Sequence, residues 1–331
     1  MTDNLVYDKE NMREVLVGFP DMIEKSMELG KDIKIEGEIK NIFVLGMGGS
    51  GFSGDLLKTY LHDLEIPIFV NKGYEVPKYA TRDSLIFAVS YSGNTEETVS
   101  AYRMMIRRGA KNIVAITSGG KLEELSNMNS NPIVTVPAGI QPRLSTPYLL
   151  TPMLNIMANS GLIEDRSEDL REVIKSINVE SIEKRAQELA LKMKGKIPVI
   201  YSSDRLFSVA EKWKTDINEN AKTMCFYNVF PEFNHNETNA YINMTAKAHV
   251  VMIKDVDDHD RVKKRFSIIK KLIMSKGVDV TEIAITGSKF LSRLLSSIYL
   301  GSWVGFYLAL EYKTDPTPVP IIEDLKMELK K

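Results

Sequence analysis

The sequence predicts an α/β protein of two doubly wound, mostly parallel sheets, each layered with helices and joined by a helical segment. Three observations carry this. Short runs of β-branched and aromatic residues alternate with longer stretches at helical spacing, the pattern of parallel strands joined by helical crossovers. The alternation is interrupted once, over residues 146–194, where three helical stretches follow one another without a strand. The 331 residues, 44% of them hydrophobic, exceed one ordinary domain and suffice for two cores.

Taken in order, residues 7–30 alternate charged and apolar positions at helical spacing, with Pro20 marking a break, and form an N-terminal cover. Strands are expected at 41–45, 66–70, 84–89, 112–117 and 132–136. The helical segment carries the chain across a boundary near residue 155, so that 1–155 and 156–331 form the two domains. Strand-like runs resume at 197–202, 224–229, 249–253 and 278–283, with a long helix over 258–276. Asp315-Pro316-Thr317-Pro318 punctuates the chain before a final amphipathic helix over 321–329. The halves share a layout, but no motif recurs at a fixed period.

Composition narrows the function. Lys plus Arg number 43 against 44 Asp plus Glu, so no overall field attracts nucleic acid or a membrane surface, and a small-molecule partner is expected. The one cysteine, Cys225, cannot form an intramolecular disulfide, and the four histidines show no zinc-ligand spacing. Neither metal nor cofactor is expected. The N-terminal MTDNLVYDKE lacks a basic region followed by an apolar core, and no uninterrupted apolar run reaches the roughly 20 residues of a membrane span. A cytoplasmic location follows.

The strand at 41–45 runs into Gly46-Met47-Gly48-Gly49-Ser50-Gly51, which satisfies the GxGxxG pattern of dinucleotide sites. Such a site also wants an acidic residue at the end of the second strand to hold the ribose, and here that strand ends in Asn71-Lys72. The loop alone is as well explained by a tight strand-to-helix turn. A second loop changes the balance. The strand at 84–89 ends in Ser90-Tyr91-Ser92-Gly93-Asn94-Thr95, before a helix that Thr95 would cap. Capping needs one hydroxyl, and Ser90, Ser92 and Thr95 supply three. A helix start offers unpaired N–H groups and a positive dipole end, which suit a phosphate. Both loops fall at carboxyl ends of parallel strands, where open sheets place ligands.

The pair GMGGSG and SYSGNTEET resembles the two phosphate-binding segments of the sugar isomerase (SIS) domain. Downstream, Gln141-Pro142-Arg143, the segment KTDINENAK at 214–222 and Glu232-Phe233-Asn234-His235-Asn236-Glu237 resemble the archaeal-type bifunctional phosphoglucose/phosphomannose isomerases. The likeness runs nearly end to end. It implies a dimeric protein of two SIS domains that interconverts glucose 6-phosphate or mannose 6-phosphate with fructose 6-phosphate, without metal. It assigns the substrate phosphate to Gly49, Ser50, Ser90, Ser92 and Thr95.

Aldose-ketose isomerisation moves a proton between C1 and C2 of an opened sugar through an enediolate whose charge must be stabilised. The resemblance makes Glu219 the base, though a helix carboxylate is ordinarily just solvated. Arg143 would stabilise the oxyanion; as a plain surface arginine at a helix start it would oppose the helix dipole. The resemblance gives His235 ring opening, in the neighbouring subunit's site, where an unassigned loop histidine would ordinarily be structural. Lys326 matches the family's C-terminal helix lysine, a position that otherwise reads as a solvated face. A small threonine near the C-terminus accompanies mannose activity in the family, and Thr317 is the nearest candidate. Two other readings stay open: a SIS isomerase of amino-sugar or pentose phosphates, and a sugar-phosphate sensor without turnover.

Overall fold

The computed structural model describes residues 2–329. The chain divides into two compact units. One comprises Gly18–Lys175 with Lys289–Ser292; the other comprises the chain up to Val17, Ser176–Ser288 and the chain from Arg293 on.

In the first of these, five strands, β1 (Asn41–Leu45), β2 (Ile68–Asn71), β3 (Ser84–Val89), β4 (Asn112–Thr117) and β5 (Ile133–Thr135), form a parallel sheet in the order β2-β1-β3-β4-β5. The central strands are apolar and buried along almost their whole length, as parallel sheets covered on both faces require. β2 starts two residues later than its apolar run, because Pro67 has no N–H for the ladder and contributes only its carbonyl, to Ile42 N. Strand order reverses between β1 and β3, the switch point at which open sheets bind ligands. The crossovers are α3 (Gly48–Tyr60), α4 (Glu96–Arg107) and α5 (Gly120–Met128), preceded in the chain by α1 (Met12–Val17) and α2 (Phe19–Ser26). Pro20 sits in the first turn of α2, where a missing N–H costs nothing. Gly54 lets α3 lie close on β1: a Cβ there would stand 2.8 Å from the side chain of Val44.

The expected three helices follow as α6 (Thr146–Asn159), α7 (Ser167–Ser176) and α8 (Val179–Met193). The second sheet, β6 (Ile197–Ser203), β7 (Phe226–Phe230), β8 (Ala248–Lys254) and β9 (Asp279–Ala284), is also parallel, in the order β7-β6-β8-β9. Its crossover helices include α9 (Phe207–Ala221) and α10 (Asp260–Met274), the latter capped by His259, whose Nδ1 accepts from Arg261 N at 3.1 Å. The carboxyl ends of β6 and β8 lead not to a glycine loop but to an ion-pair cluster. Asp255, fully buried in its side chain, pairs with Arg205 at 3.0 Å and with Arg293 at 2.8 Å, and Arg293 also reaches Asp257.

Two elements differ from expectation. The 22-residue α11 (Phe290–Glu311) has no counterpart among the expected elements, and it is long and apolar enough by length and composition to cross a membrane. It is instead a core helix, with 89% of its apolar window buried inside the protein. The final helix, α12 (Pro320–Glu328), forms where predicted but buries none of its residues.

Candidate active site

The two candidate phosphate loops sit at helix starts that no side chain caps. α3 begins after Met47, which has no capping oxygen, and α4 begins after Thr95, which occupies the N-cap but makes no capping bond. The hydroxyls bond within and between the loops instead. Ser90 Oγ donates to Thr95 Oγ1 at 3.0 Å, and Tyr91 N donates to Ser50 Oγ at 3.1 Å, tying the β3 loop to the β1 loop. Ser90 and Ser50 are buried, Gly49 and Thr95 half-buried, and Ser92 exposed with its Oγ accepting from Asn94 N at 3.3 Å. All five sequence-predicted phosphate residues therefore share the β1/β3 switch point. With both helix ends left open, backbone N–H groups and dipoles favour an anion there.

Arg143 joins them through the backbone. Its short 3-10 turn, Pro142–Leu144, lies against Gly49, where a Cβ would stand 2.5 Å from Pro142 O and 3.0 Å from Arg143 Cα. Only glycine allows that approach. The arginine is buried, so its fixed charge sits where solvent screens it little.

The second loop rests on residues that the sequence reading passed over. Tyr91 Oη donates to Pro137 O at 2.8 Å and accepts from Ile140 N at 3.2 Å, holding the strand exit that leads to Arg143. Ser118, after β4, donates from both N and Oγ to Tyr91 O, at 2.9 and 2.6 Å. Gly93 (φ +70°) packs against Gly119, whose oxygen would lie 1.7 Å from an added Cβ. The Ser-Gly-Gly that follows this strand was the available signal.

Glu219 lies near the end of α9, half-buried. The rotation of that helix is fixed against α11 by small residues: a Cβ at Gly301 would stand 2.5 Å from the Trp213 ring, and one at Gly305 2.9 Å from Asp216 O. Buried Asp216 pairs with Lys212 and accepts from Ser302 Oγ at 2.6 Å. Directly after α9, Lys222 takes a left-handed conformation (φ +51°). Its Nζ donates to the carbonyl oxygens of Asp315 and Pro316 at 2.6 and 2.9 Å, bringing the segment before buried Thr317 to the Glu219 end of the helix.

His235 is exposed, in the 3-10 turn Glu232–His235 that follows β7. Glu219 precedes β7 and His235 follows it, so the two stand at opposite ends of a five-residue strand, roughly 13 Å of extended chain. Lys326 is exposed on α12. Cys225, just before β7, is buried, and burial pushes its thiol up to about 12, the opposite of an activated nucleophile.

Two SIS-type sheets with one loop pair open to an anion define a protein of the sugar isomerase class: residues 38–141 match the SIS domain, and residues 182–329 match the bacterial phospho-glucose isomerase C-terminal SIS domain. The bifunctional phosphoglucose/phosphomannose isomerase of Caldicellulosiruptor bescii is 38% identical over 96% of this chain and 98% of its own length. The chain belongs to the bifunctional phosphoglucose/phosphomannose isomerase family. A D-glucosamine-6-phosphate 4-epimerase of Sulfolobus acidocaldarius is 34% identical over 70% of this chain and 74% of its own. Among solved structures, a hypothetical protein of Thermus thermophilus shares the fold at a TM-score of 0.73, 15% identity and coverage of 98% of this chain and 88% of that one.

Proposed function

We propose that the chain interconverts glucose 6-phosphate and mannose 6-phosphate with fructose 6-phosphate. The observation that carries this is the pair of uncapped helix starts at one switch point, linked by the bond from Tyr91 N to Ser50 Oγ, in a chain whose full-length relatives carry that activity by name. In this reading the 6-phosphate sits on Gly49, Ser50, Ser90, Ser92 and Thr95. Glu219 takes the proton from C2 of the opened aldose and returns it at C1, while Arg143 holds the enediolate oxygen. His235 donates to the ring oxygen during opening, and Lys326 stands near the proton transfer. C2 becomes planar in the enediolate, so one base serves both epimers, and a small residue such as Thr317 leaves room for the rotation that mannose requires.

The partners in this reading are a hexose 6-phosphate and a second copy of the chain. The separation of Glu219 from His235 along β7 supports a site completed by a neighbouring subunit. So does the edge strand β7 with the residues leading into it, where Phe226 and, two positions before the strand, Met224 are 52% and 70% exposed and suited to burial against another copy. A phosphorylated hexose substrate fits a cytoplasmic location.

A coupled assay with fructose 6-phosphate in EDTA, scoring glucose 6-phosphate and mannose 6-phosphate separately, tests the activity. Turnover to both is expected. The D-glucosamine-6-phosphate 4-epimerase relative makes glucosamine 6-phosphate the control substrate, and turnover of that sugar alone would replace this reading.

A further inference from the structure

Although His235 is exposed, the turn that carries it is tied down on both sides. Two residues before it, Phe233 is fully buried and stacks on Tyr201 of β6 with ring centroids 4.2 Å apart. Two residues after it, Glu237 sends both carboxylate oxygens inward. Oε1 accepts from Tyr201 Oη at 2.5 Å and Oε2 accepts from Asn228 Nδ2, on β7, at 2.6 Å. The Glu237 N–H donates to Asn236 Oδ1 at 2.6 Å. Tyr201 Oη also lies 2.8 Å from Tyr241 Oη, and burial holds the Tyr201 hydroxyl far above its usual range, so it remains a proton donor. One carboxylate therefore joins β6, β7 and the segment carrying His235.

A glutamate with no task beside an exposed turn would extend into water, where it keeps its hydration and its side-chain freedom. Here it gives up both for two charge-assisted bonds to different strands. We propose that Glu237 is a positioning residue for ring opening: its carboxylate, held by Tyr201 and Asn228, sets the backbone at His235 so that the imidazole projects outward in one fixed direction. The inference rests on His235 acting on the ring oxygen. Glu237 touches no reacting atom and acts through the histidine alone.

The test uses the intact protein and two substrates: fructose 6-phosphate, which must open, and 5-deoxyfructose 6-phosphate, which lacks the ring-forming hydroxyl and is always open. Asn228→Asp sets a carboxylate against that of Glu237, and should lower kcat on fructose 6-phosphate about tenfold while changing the open-chain rate less than about twofold. Adding Glu237→Gln restores a donor-acceptor pair of reversed polarity and should recover the lost rate to within about threefold. In a His235→Ala background, Asn228→Asp should cost nothing more. Equal losses on both substrates, no recovery in the double variant, or a further loss without His235 would each overturn the role of Glu237. If His235→Ala itself spares ring-closed turnover, the reading of His235 falls first, which separates the two failures. If Asn228→Asp does not fold, Tyr201→Phe removes one donor without adding charge. It should then lose about threefold on the ring-closed substrate only, and a loss on both would again overturn the proposal.

Discussion

Gly49 and Pro142 stand so close that a single added carbon on Gly49 would lie 2.5 Å from the Pro142 carbonyl oxygen. The neighbour is backbone, held in the turn that bears Arg143, so it cannot swing aside as a flexible side chain would. Gly49→Ala should therefore displace the arginine, cost about 1–3 kcal/mol of stability, and lower kcat/KM at least about tenfold. Thermal unfolding alongside steady-state kinetics checks both; full activity would detach Arg143 from the site.

Tyr91 reaches the same turn from the other side. Tyr91→Phe keeps the ring and deletes bonds to Pro137 O and Ile140 N. The expected loss is about 1–2 kcal/mol of stability with a several-fold drop in kcat. A drop in melting temperature with unchanged kinetics would show that the Arg143 approach does not depend on it.

Glu219→Gln should reduce isomerisation by several orders of magnitude while leaving affinity for a non-reacting sugar phosphate within about threefold, since only the proton acceptor is lost. Competition binding and the coupled assay together measure this. Retention of most of the rate would remove Glu219 from the base role.

If each site takes Glu219 from one copy and His235 from another, mixing the Glu219→Gln and His235→Ala proteins creates heterodimers with one intact site. Free exchange should restore about a quarter of the wild-type rate. No recovery after exchange is confirmed by mass would place both residues in one subunit.

Acid should destabilise the fold through His249 on β8. Burial, helped by Lys196, lowers its pKa to about 4, and Nε2 faces Thr281 Oγ1 at 2.9 Å while Nδ1 has no partner among the described residues. The unfolded chain takes up this proton first as pH falls below about 6.5, so stability declines from there through about 4, by on the order of 3 kcal/mol. Denaturant unfolding at pH 7 and pH 5 should show the decline, and His249→Asn should flatten it.

Much of this was legible in the sequence wherever burial is complete and local. β1, β3 and β4 coincide with their apolar runs because covered parallel strands exclude polar residues, and the two glycine-serine loops were readable because a helix start demands particular residue types. α11 was not legible for the opposite reason: buried on nearly all sides, it has no polar face to mark a helical period. The supports of the site were also hidden. Tyr91 meets Ser118, and Glu237 meets Tyr201, 27 and 36 positions apart, so nothing at either position in the chain announces the other.

The cluster of Asp255, Arg205 and Arg293 bears on how two similar sheets came to do different work. Both follow one strand order that reverses beside their second strand in line, but the second has paired counter-charges at that point. Arg205 and Arg293 are both committed to carboxylates of the same chain. If the first sheet holds the phosphate as proposed, doubling the architecture need not double the anion site, because the second sheet's own charges are paired with one another.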